Sequence, residues 1–165
     1  MRFDDDLQAL VLELGRALRE RGGFIASAES CTGGLIAAAC TSVAGSSDWF
    51  ERGFVSYSNA AKSQMLGVPA SLIEQHGAVS EEVARAMAEG ALRHSAAHLS
   101  IAVTGIAGPG GATPGKPVGL VWLAWARRGG GTEAERLQLG GDRAAVREQT
   151  VRIAVARLIE QAKAR

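Results

Sequence analysis

The sequence has few cysteines, few aromatic residues and no long apolar run. Its 165 residues include two cysteines and 5% Phe, Trp and Tyr. The cysteines form no CxxC pair, so we expect reduced thiols in a cytoplasmic protein and no disulfide scaffold. The nearly uncharged apolar stretches reach about ten residues, half of what a bilayer crossing requires. Three consecutive Asp residues at 4–6 carry the wrong charge for a signal peptide.

The sequence also lacks an excess of charge of either sign. The 18 Lys and Arg residues and 17 Asp and Glu residues give a formal net charge of +1. Non-specific nucleic-acid binding requires a strongly basic surface, so we expect neither a nucleic-acid nor a membrane partner. The composition is 47% hydrophobic and 21% charged, which is typical of a globular protein. At this length we expect one domain, spanning residues 1–165.

The hydrophobic pattern alternates between helical and strand spacing along the chain. We predict helices at 4–21, 35–44, 60–66, 69–75, 80–94 and from 142 nearly to the end, and strands at 24–30, 49–59, 99–105, 118–126 and 133–139. This order is typical of a three-layer α/β/α sandwich, and we expect a mixed, mostly parallel sheet. Three glycines at 129–131 join the last two strands as a hairpin, which excludes an all-parallel sheet.

The segment Ala28–Gly34 (AESCTGG) joins a buried strand to a helix and is the strongest candidate for chemistry. The first N–H groups of a helix are unpaired, so Ser30 could be a nucleophile beside an oxyanion hole formed by Thr32, Gly33 and Gly34. A simpler interpretation is that Ser30 and Thr32 only cap the helix. Cys31 could also be a nucleophile, although a buried small hydrophobic residue is the preferred interpretation.

A second strand runs into a helix at residues 54–62, so Tyr57 and Lys62 are expected at the same sheet edge. A lysine acts as a base only if desolvation or a neighbouring cation lowers its pKa. A tyrosine could then relay the proton or position the amine. The simpler interpretation is a solvated helix lysine and a half-buried strand tyrosine.

Thr104, Gly105 and Gly108 lie where a central strand enters a glycine-rich loop, a position at which open α/β sheets bind ligands. The same loop holds a Gly-x4-Gly-Lys match to a phosphate-binding P-loop at 110–116. Pro117 replaces the Ser or Thr that would hold magnesium, and a strand follows, so this match is not expected to be functional.

Arg143 is expected in the first turn of the last helix, where a cation is unfavourable to the helix dipole. Binding of an anionic ligand would explain it, and a surface ion pair is the simpler alternative. His94 and His98 are four residues apart, but no third ligand is in view. We therefore expect no metal site.

Six segments together carry a family resemblance. They are, in order, AESCTGG, GSSDWFERGFVSYSNAAK, HGAVSEEVA, TGIAGPGG, KPVGLVW and GDR. In this order they resemble the CinA C-terminal domain family over roughly residues 7–160. The chain is similar to the stand-alone form of the family, while longer members carry an additional N-terminal domain.

This resemblance implies a hydrolase that converts nicotinamide mononucleotide to nicotinic acid mononucleotide and ammonia in pyridine-nucleotide salvage. It implies Ser30 as nucleophile and Lys62 as its basic partner, with Tyr57 nearby and no metal or organic cofactor. Substrate binding is expected of Thr32, Gly33, Gly34, Asn59, Thr104, Gly105, Gly108 and Arg143. A homodimer or higher oligomer is also expected. Two alternatives stay open: a module that binds a nucleotide or a protein without turnover, and hydrolysis of a related amide.

Overall fold

The structure, a computed structural model, describes residues 2–164. The helices are α1 (Asp5–Arg21), α2 (Leu35–Cys40), α3 (Asn59–Leu66), α4 (Ala70–His76), α5 (Glu81–Arg93) and α6 (Arg143–Lys163). The strands are β1 (Ile25–Glu29), β2 (Phe50–Val55), β3 (Leu99–Gly105), β4 (Leu120–Arg127) and β5 (Thr132–Gln138). A short 3-10 turn at Ser46–Asp48 precedes β2. The order of helices and longer strands agrees with the prediction.

The five strands form one sheet in the order β2-β1-β3-β4-β5. β1 is parallel to both of its neighbours, whereas β3–β4 and β4–β5 are antiparallel. The prediction of a mixed sheet with a terminal hairpin is therefore confirmed, although the parallel pairings do not outnumber the antiparallel ones. The reason is that no helix connects β3 to β4, and a parallel return would need such a crossover.

Two apolar clusters cover the two faces of the sheet, which confirms the three-layer arrangement. Residues of α1, α2 and α6 pack on one face, and residues of α3, α4 and α5 pack on the other. β1 contributes to both because successive side chains point to opposite faces, with Ile25 in the first cluster and Ala26 in the second. All five of its residues are buried.

α2 is shorter than predicted. It ends at Cys40, and the hydroxyls of Thr41 and Ser42 donate to the carbonyls of Ala37 and Ala39 at 2.8 and 2.7 Å. These side chains supply partners for the last helical carbonyls and so compete with further helix formation. The apolar spacing of the sequence does not reveal this competition.

Cys31 and Cys40 are both buried free thiols. Burial raises the pKa of the Cys31 thiol to about 11, and it also raises that of Cys40. Of the helices in the described part of the chain, none has the length and apolarity to cross a bilayer.

Close contact between α3 and α5 depends on a glycine. A Cβ at Gly90 would overlap the carbonyl oxygen of Leu66, the last residue of α3. Gly to Ala inside a helix is otherwise favourable by about 1 kcal/mol. Here the steric overlap reverses the sign.

We therefore expect Gly90→Ala to lower the free energy of unfolding by about 1–3 kcal/mol, measured by urea denaturation. Gly131→Ala is the matched control because a Cβ there meets no heavy atom within 4 Å and Gly131 has no positive φ. A Gly90→Ala variant as stable as wild type would contradict this account of the packing.

Candidate active site

Ser30 follows β1 directly at the edge where the carboxyl ends of three parallel strands meet. Its N–H donates to the carbonyl of Val103 in β3 at 3.0 Å, which ties the start of the turn to the central sheet. Its side chain is largely buried, at 8% exposure. β1 lies between β2 and β3, so the loops that follow these strands surround the serine.

Lys62 is brought to Ser30 from α3. The hydroxyl of Ser58 caps this helix by accepting from the Ala61 N–H at 3.0 Å, which fixes the first turn. Lys62 is 1% exposed, and its Nζ lies 3.0 Å from Ser30 Oγ. Nζ also lies 3.1 Å from the Ser56 carbonyl oxygen and 3.0 Å from that of Tyr57. Lys62 is therefore not the solvated helix lysine of the simpler interpretation.

The two carbonyl oxygens determine how a neutral Lys62 amine is oriented. A carbonyl oxygen only accepts hydrogen bonds, so a neutral amine directs its two N–H groups at Ser56 and Tyr57. Its lone pair then faces the third neighbour, Ser30 Oγ, whose hydroxyl can donate to it. The geometry is that of a base placed to remove the serine proton.

Burial favours the neutral form of this amine. Desolvation lowers the pKa of Lys62 below its ordinary value of 10.5. The neighbouring Cys31 thiolate would act in the opposite direction, but with its pKa near 11 this thiol is protonated at neutral pH. The high pKa also makes Cys31 a poor candidate nucleophile.

The buried side chain of Glu29, which was not among the site residues predicted from the sequence, holds the turn that follows β1. Glu29 is fully buried and accepts from the N–H groups of Ile36 and Ala37 at 2.8 and 3.0 Å and from Thr32 Oγ1 at 2.7 Å. The N-cap residue of α2 is Gly34, which has no side chain to cap the helix. Glu29 therefore caps α2 from the preceding strand. An ionisable residue in the apolar run 25–29, ahead of a helix without a capping side chain, was the available signal.

The predicted oxyanion residues have different environments. Thr32 is fully buried, and both glycines have positive φ, +57° at Gly33 and +101° at Gly34. The Gly33 N–H donates to the Ser30 carbonyl at 3.0 Å. Within residues 2–164 the N–H groups of Thr32 and Gly34 have no acceptor in the protein, so they are the ones left for an oxyanion.

Arg143 links the loops on both sides of Ser30. Its Nη1 donates to the Gly108 carbonyl at 3.0 Å, and its Nη2 donates to the Tyr57 hydroxyl at 3.2 Å. Gly108 follows β3 and Tyr57 follows β2, so the guanidinium bridges across the end of β1. Tyr57 is 57% exposed, and its hydroxyl binds this arginine, whereas its backbone carbonyl contacts Lys62. The expected proton relay through the phenol has no contact to support it.

A cavity of about 730 Å³ adjoins this bridge, lined by Ala107, Pro109, Val118, Gly141, Asp142, Arg143, Ala144 and Arg147. Its volume is in the range of small-molecule sites. Neither arginine of the lining forms an ion pair with a carboxylate of residues 2–164. The lining carries these two arginines and one carboxylate, that of Asp142, so its net charge is positive, which favours an anionic ligand.

Arg147 was not among the site residues predicted from the sequence. It lies one helical turn after Arg143 and donates to the carbonyls of Cys31 and Thr32 at 3.1 and 3.2 Å. The i, i+4 spacing from Arg143 was the signal that could have identified it.

The remaining predicted residues are farther from the reacting groups or serve the fold. Thr104 is buried and its hydroxyl donates to the Ala78 carbonyl at 2.8 Å, which holds the α4–α5 connection against the sheet. Gly105 allows close contact with β4, since a Cβ would lie 2.7 Å from Val121 Cγ2. Asn59 is exposed and lines a different depression, between α3 and α4. The structure does not bring its side chain to Ser30.

The two histidines have separate partners. His94 Nδ1 lies 2.9 Å from the Gly90 carbonyl, and His98 Nδ1 accepts from the Phe24 N–H at 3.0 Å. In the described part of the chain, no three His, Cys, Asp or Glu side chains gather in a way that could hold a metal ion.

The capping role of Glu29 has a measurable consequence. With Ser27 Oγ at 3.4 Å, four hydrogen-bond donors surround the Glu29 carboxylate. Glu29→Gln places an amide NH2 group among them, so at least one buried donor loses its acceptor. We expect the free energy of unfolding to fall by about 2–3 kcal/mol, measured by urea denaturation. The exposed Glu133, replaced by Gln, is the control, and equal stability of the two variants would contradict the capping role.

Comparisons with known proteins agree with the resemblance. A family model described as the CinA C-terminal domain matches residues 7–162. The nicotinamide-nucleotide amidohydrolase PncC of Pseudomonas putida is 52% identical over 156 residues, which cover 94% of this chain and 97% of that protein. A putative competence-damage inducible protein of Symbiobacterium thermophilum is 54% identical over 155 residues, which cover 89% of this chain and 36% of that protein.

Solved structures are similar over nearly the whole chain. The crystal structure of the competence/damage inducible protein CihA from Agrobacterium tumefaciens matches with a TM-score of 0.94 at 45% identity, covering 97% of this chain and 98% of that one. The family predicted from the six segments is therefore confirmed, and this chain belongs to the CinA C-terminal domain family.

Proposed function

We propose that this chain hydrolyses the carboxamide of nicotinamide mononucleotide to nicotinic acid mononucleotide and ammonia. The observation that carries the proposal is the buried Lys62 amine, 3.0 Å from Ser30 Oγ and held by two backbone carbonyls. A relative of almost equal length and 52% identity is named a nicotinamide-nucleotide amidohydrolase, which supports this choice of substrate.

The first half of the reaction forms an acyl-enzyme. Ser30 Oγ attacks the carboxamide carbon while its proton passes to the neutral Lys62 amine, and the carbonyl electron pair moves onto oxygen. The N–H groups of Thr32 and Gly34 are the candidate donors to this oxyanion. The carbonyl then re-forms, the C–N bond breaks, and Lys62 returns the proton to the departing nitrogen, which leaves as ammonia.

The second half of the reaction regenerates the serine. Water attacks the ester carbon while Lys62 accepts one of its protons. The ester C–O bond then breaks, and Lys62 returns the proton to Ser30 Oγ. The product is the pyridine carboxylic acid. One lysine suffices for both halves because it ends each half in the protonation state in which it began.

The phosphate of the substrate fits the arginine side of the site. Arg143 uses one N–H of each terminal nitrogen for Gly108 and Tyr57, and a guanidinium has five N–H donors. Three donors therefore remain for phosphate oxygens at the mouth of the cavity. In this proposal Tyr57 positions Arg143 through its hydroxyl and Lys62 through its backbone carbonyl.

The alternative of a module that binds without turnover is weaker on physical grounds. A buried lysine is unfavourable to stability because its charged form loses hydration. A binding module gains nothing from placing that amine against a serine hydroxyl. One longer relative is named a putative competence-damage inducible protein rather than an amidohydrolase. Binding without turnover is therefore included as an outcome of the ammonia-release assay below.

We further propose that residues 1–165 act as one amidohydrolase domain in the cytoplasm. The two free thiols support a reducing compartment. Self-association into a homodimer or higher oligomer stays part of the proposal, and sedimentation velocity tests it.

Removing either member of the pair should abolish turnover. We expect Ser30→Ala and Lys62→Met each to lower the rate of ammonia release from nicotinamide mononucleotide by about 10³-fold or more, because each removes an essential proton-transfer or bond-forming group. Circular dichroism would show that both variants stay folded.

Cys31→Ala is the control for Ser30→Ala, because Cys31 is adjacent to Ser30 in the sequence and takes no part in the proposed reaction. Near-normal ammonia release from Ser30→Ala would overturn the assignment. Wild-type protein that binds the mononucleotide but releases no ammonia would favour the binding-module alternative.

The pH dependence follows from the direction of the Lys62 pKa shift. Only the neutral amine accepts the serine proton, so kcat/KM should rise with pH and level off above the lowered pKa of Lys62, at a midpoint below 10.5. The measurement is kcat/KM between pH 6 and pH 10. Cys31→Ala should keep the same midpoint because the pKa of that thiol is about 11. A rate that falls with rising pH would contradict a lysine base.

A further inference from the structure

Arg147 makes two hydrogen bonds to the turn that carries the nucleophile. Its Nε donates to the Cys31 carbonyl at 3.1 Å and its Nη2 donates to the Thr32 carbonyl at 3.2 Å. The contact joins residues more than 110 positions apart, from α6 to the turn after β1. A planar guanidinium suits two adjacent acceptors because its donors form a rigid fork.

These bonds determine the direction of the unpaired Thr32 N–H. In a trans peptide the carbonyl of Cys31 and the N–H of Thr32 point to opposite sides of the same plane. With the carbonyl held toward α6 by Arg147, the N–H points away from α6. The next peptide is fixed as well, because the Thr32 carbonyl also accepts from the Leu35 N–H at 3.1 Å.

The turn is therefore held from two sides. Arg147 binds its backbone carbonyls, while Glu29 binds the Thr32 hydroxyl at 2.7 Å. A charged donor on the Cys31 carbonyl also polarises that peptide group, which makes its N–H a stronger donor. Neither effect requires Arg147 to touch the substrate.

We propose that Arg147 is a positioning residue that aims the Thr32 N–H at the oxyanion formed when Ser30 attacks its substrate. This inference rests on the proposed function, and it assigns to Arg147 an effect on the transition state. The competing assignment is a second phosphate ligand beside Arg143, because both arginines line the same cavity. The two assignments predict different kinetics.

The first experiment measures kcat and KM for nicotinamide mononucleotide. We expect Arg147→Met to lower kcat about 100-fold, because misplacing an oxyanion donor weakens binding of the transition state alone. KM should stay within about threefold of wild type. Arg147→Lys keeps the charge but not the fork, so its kcat should lie between those of wild type and Arg147→Met.

Two variants on the same helix complete this experiment. Arg152→Met is the matched control, since Arg152 pairs with Asp4 and Glu148 and does not contact the turn. Arg143→Met should raise KM. If Arg147→Met raises KM and leaves kcat unchanged, Arg147 is a phosphate ligand and the proposal is wrong.

The second experiment separates this inference from the identity of the substrate. p-Nitrophenyl acetate is a small activated ester without a phosphate, and acylation of Ser30 releases p-nitrophenolate. We expect Arg147→Met to slow this release at least about tenfold, while Arg152→Met does not. A rate equal to wild type would overturn the positioning role.

The combined outcomes distinguish the two proposals. Wild-type protein that is acylated by the ester but releases no ammonia from the mononucleotide would disprove the proposed substrate, and the Arg147 effect would still be measured on the ester. Protein that reacts with neither compound would disprove both. Thermal melting of each variant distinguishes loss of positioning from loss of fold, since Arg147→Met with wild-type melting and slow acylation supports the proposal.

Discussion

The contact on which the site depends is the one between a buried amine and a serine hydroxyl. An ammonium at Lys62 would lose its hydration, so the protein environment favours the neutral form. The carbonyls of Ser56 and Tyr57 then occupy both N–H groups and leave the lone pair for Ser30. These carbonyls belong to the segment between β2 and α3, so the ending of one strand and the capping of one helix together orient the base.

The nucleophile side depends on a second buried ionisable group. Glu29 binds the first N–H groups of α2 and the hydroxyl of Thr32, and so fixes the turn that follows β1. The protein thus supports the short turn that carries the proposed nucleophile with the Glu29 carboxylate from β1 and the Arg147 guanidinium from α6. Both groups form hydrogen bonds with backbone or hydroxyl groups that would otherwise be free to reorient. These bonds fix the turn before a substrate binds, which is what preorganisation of such a site means.

The sequence predicted the elements well because their signals are local. The helices predicted from residues 80 and 142 are capped by Ser80 and Asp142, which accept from the N–H groups of Val83 and Ala145. Short apolar runs, continuous in most strands and alternating in the last, located the strands. The segments of Ser30 and Lys62 could be placed at one sheet edge because each follows a strand of the same sheet, whereas their roles as a pair came from the family resemblance. The phenol of Tyr57 could not be placed, since the sequence did not show that Arg143 from a distant helix would bind it.

Glu29 and Arg147 were missed for a related reason. A glutamate in an apolar strand and an arginine on a charged helix acquire meaning only from the partners that tertiary structure brings to them. The family resemblance predicted substrate binding for Asn59, and the structure shows its side chain exposed and lining a different depression, between α3 and α4. Sequence patterns locate the backbone segments of a site better than they locate the direction of individual side chains.

The charges of the proposed substrate and of the site favour the same protonation state. A nicotinamide ring attached to ribose is a pyridinium cation, and a cation near Lys62 further disfavours the ammonium form. Binding of the ring and activation of the base are therefore coupled in the same direction. The phosphate has the opposite requirement, and Arg143 meets it with its remaining N–H donors while Gly108 and Tyr57 hold its guanidinium in place. Because β1 lies between β2 and β3, one sheet edge holds both the buried Lys62 amine, whose pKa burial lowers, and the Arg143 guanidinium. A substrate with a cationic amide-bearing ring and an anionic phosphate matches this arrangement at both ends.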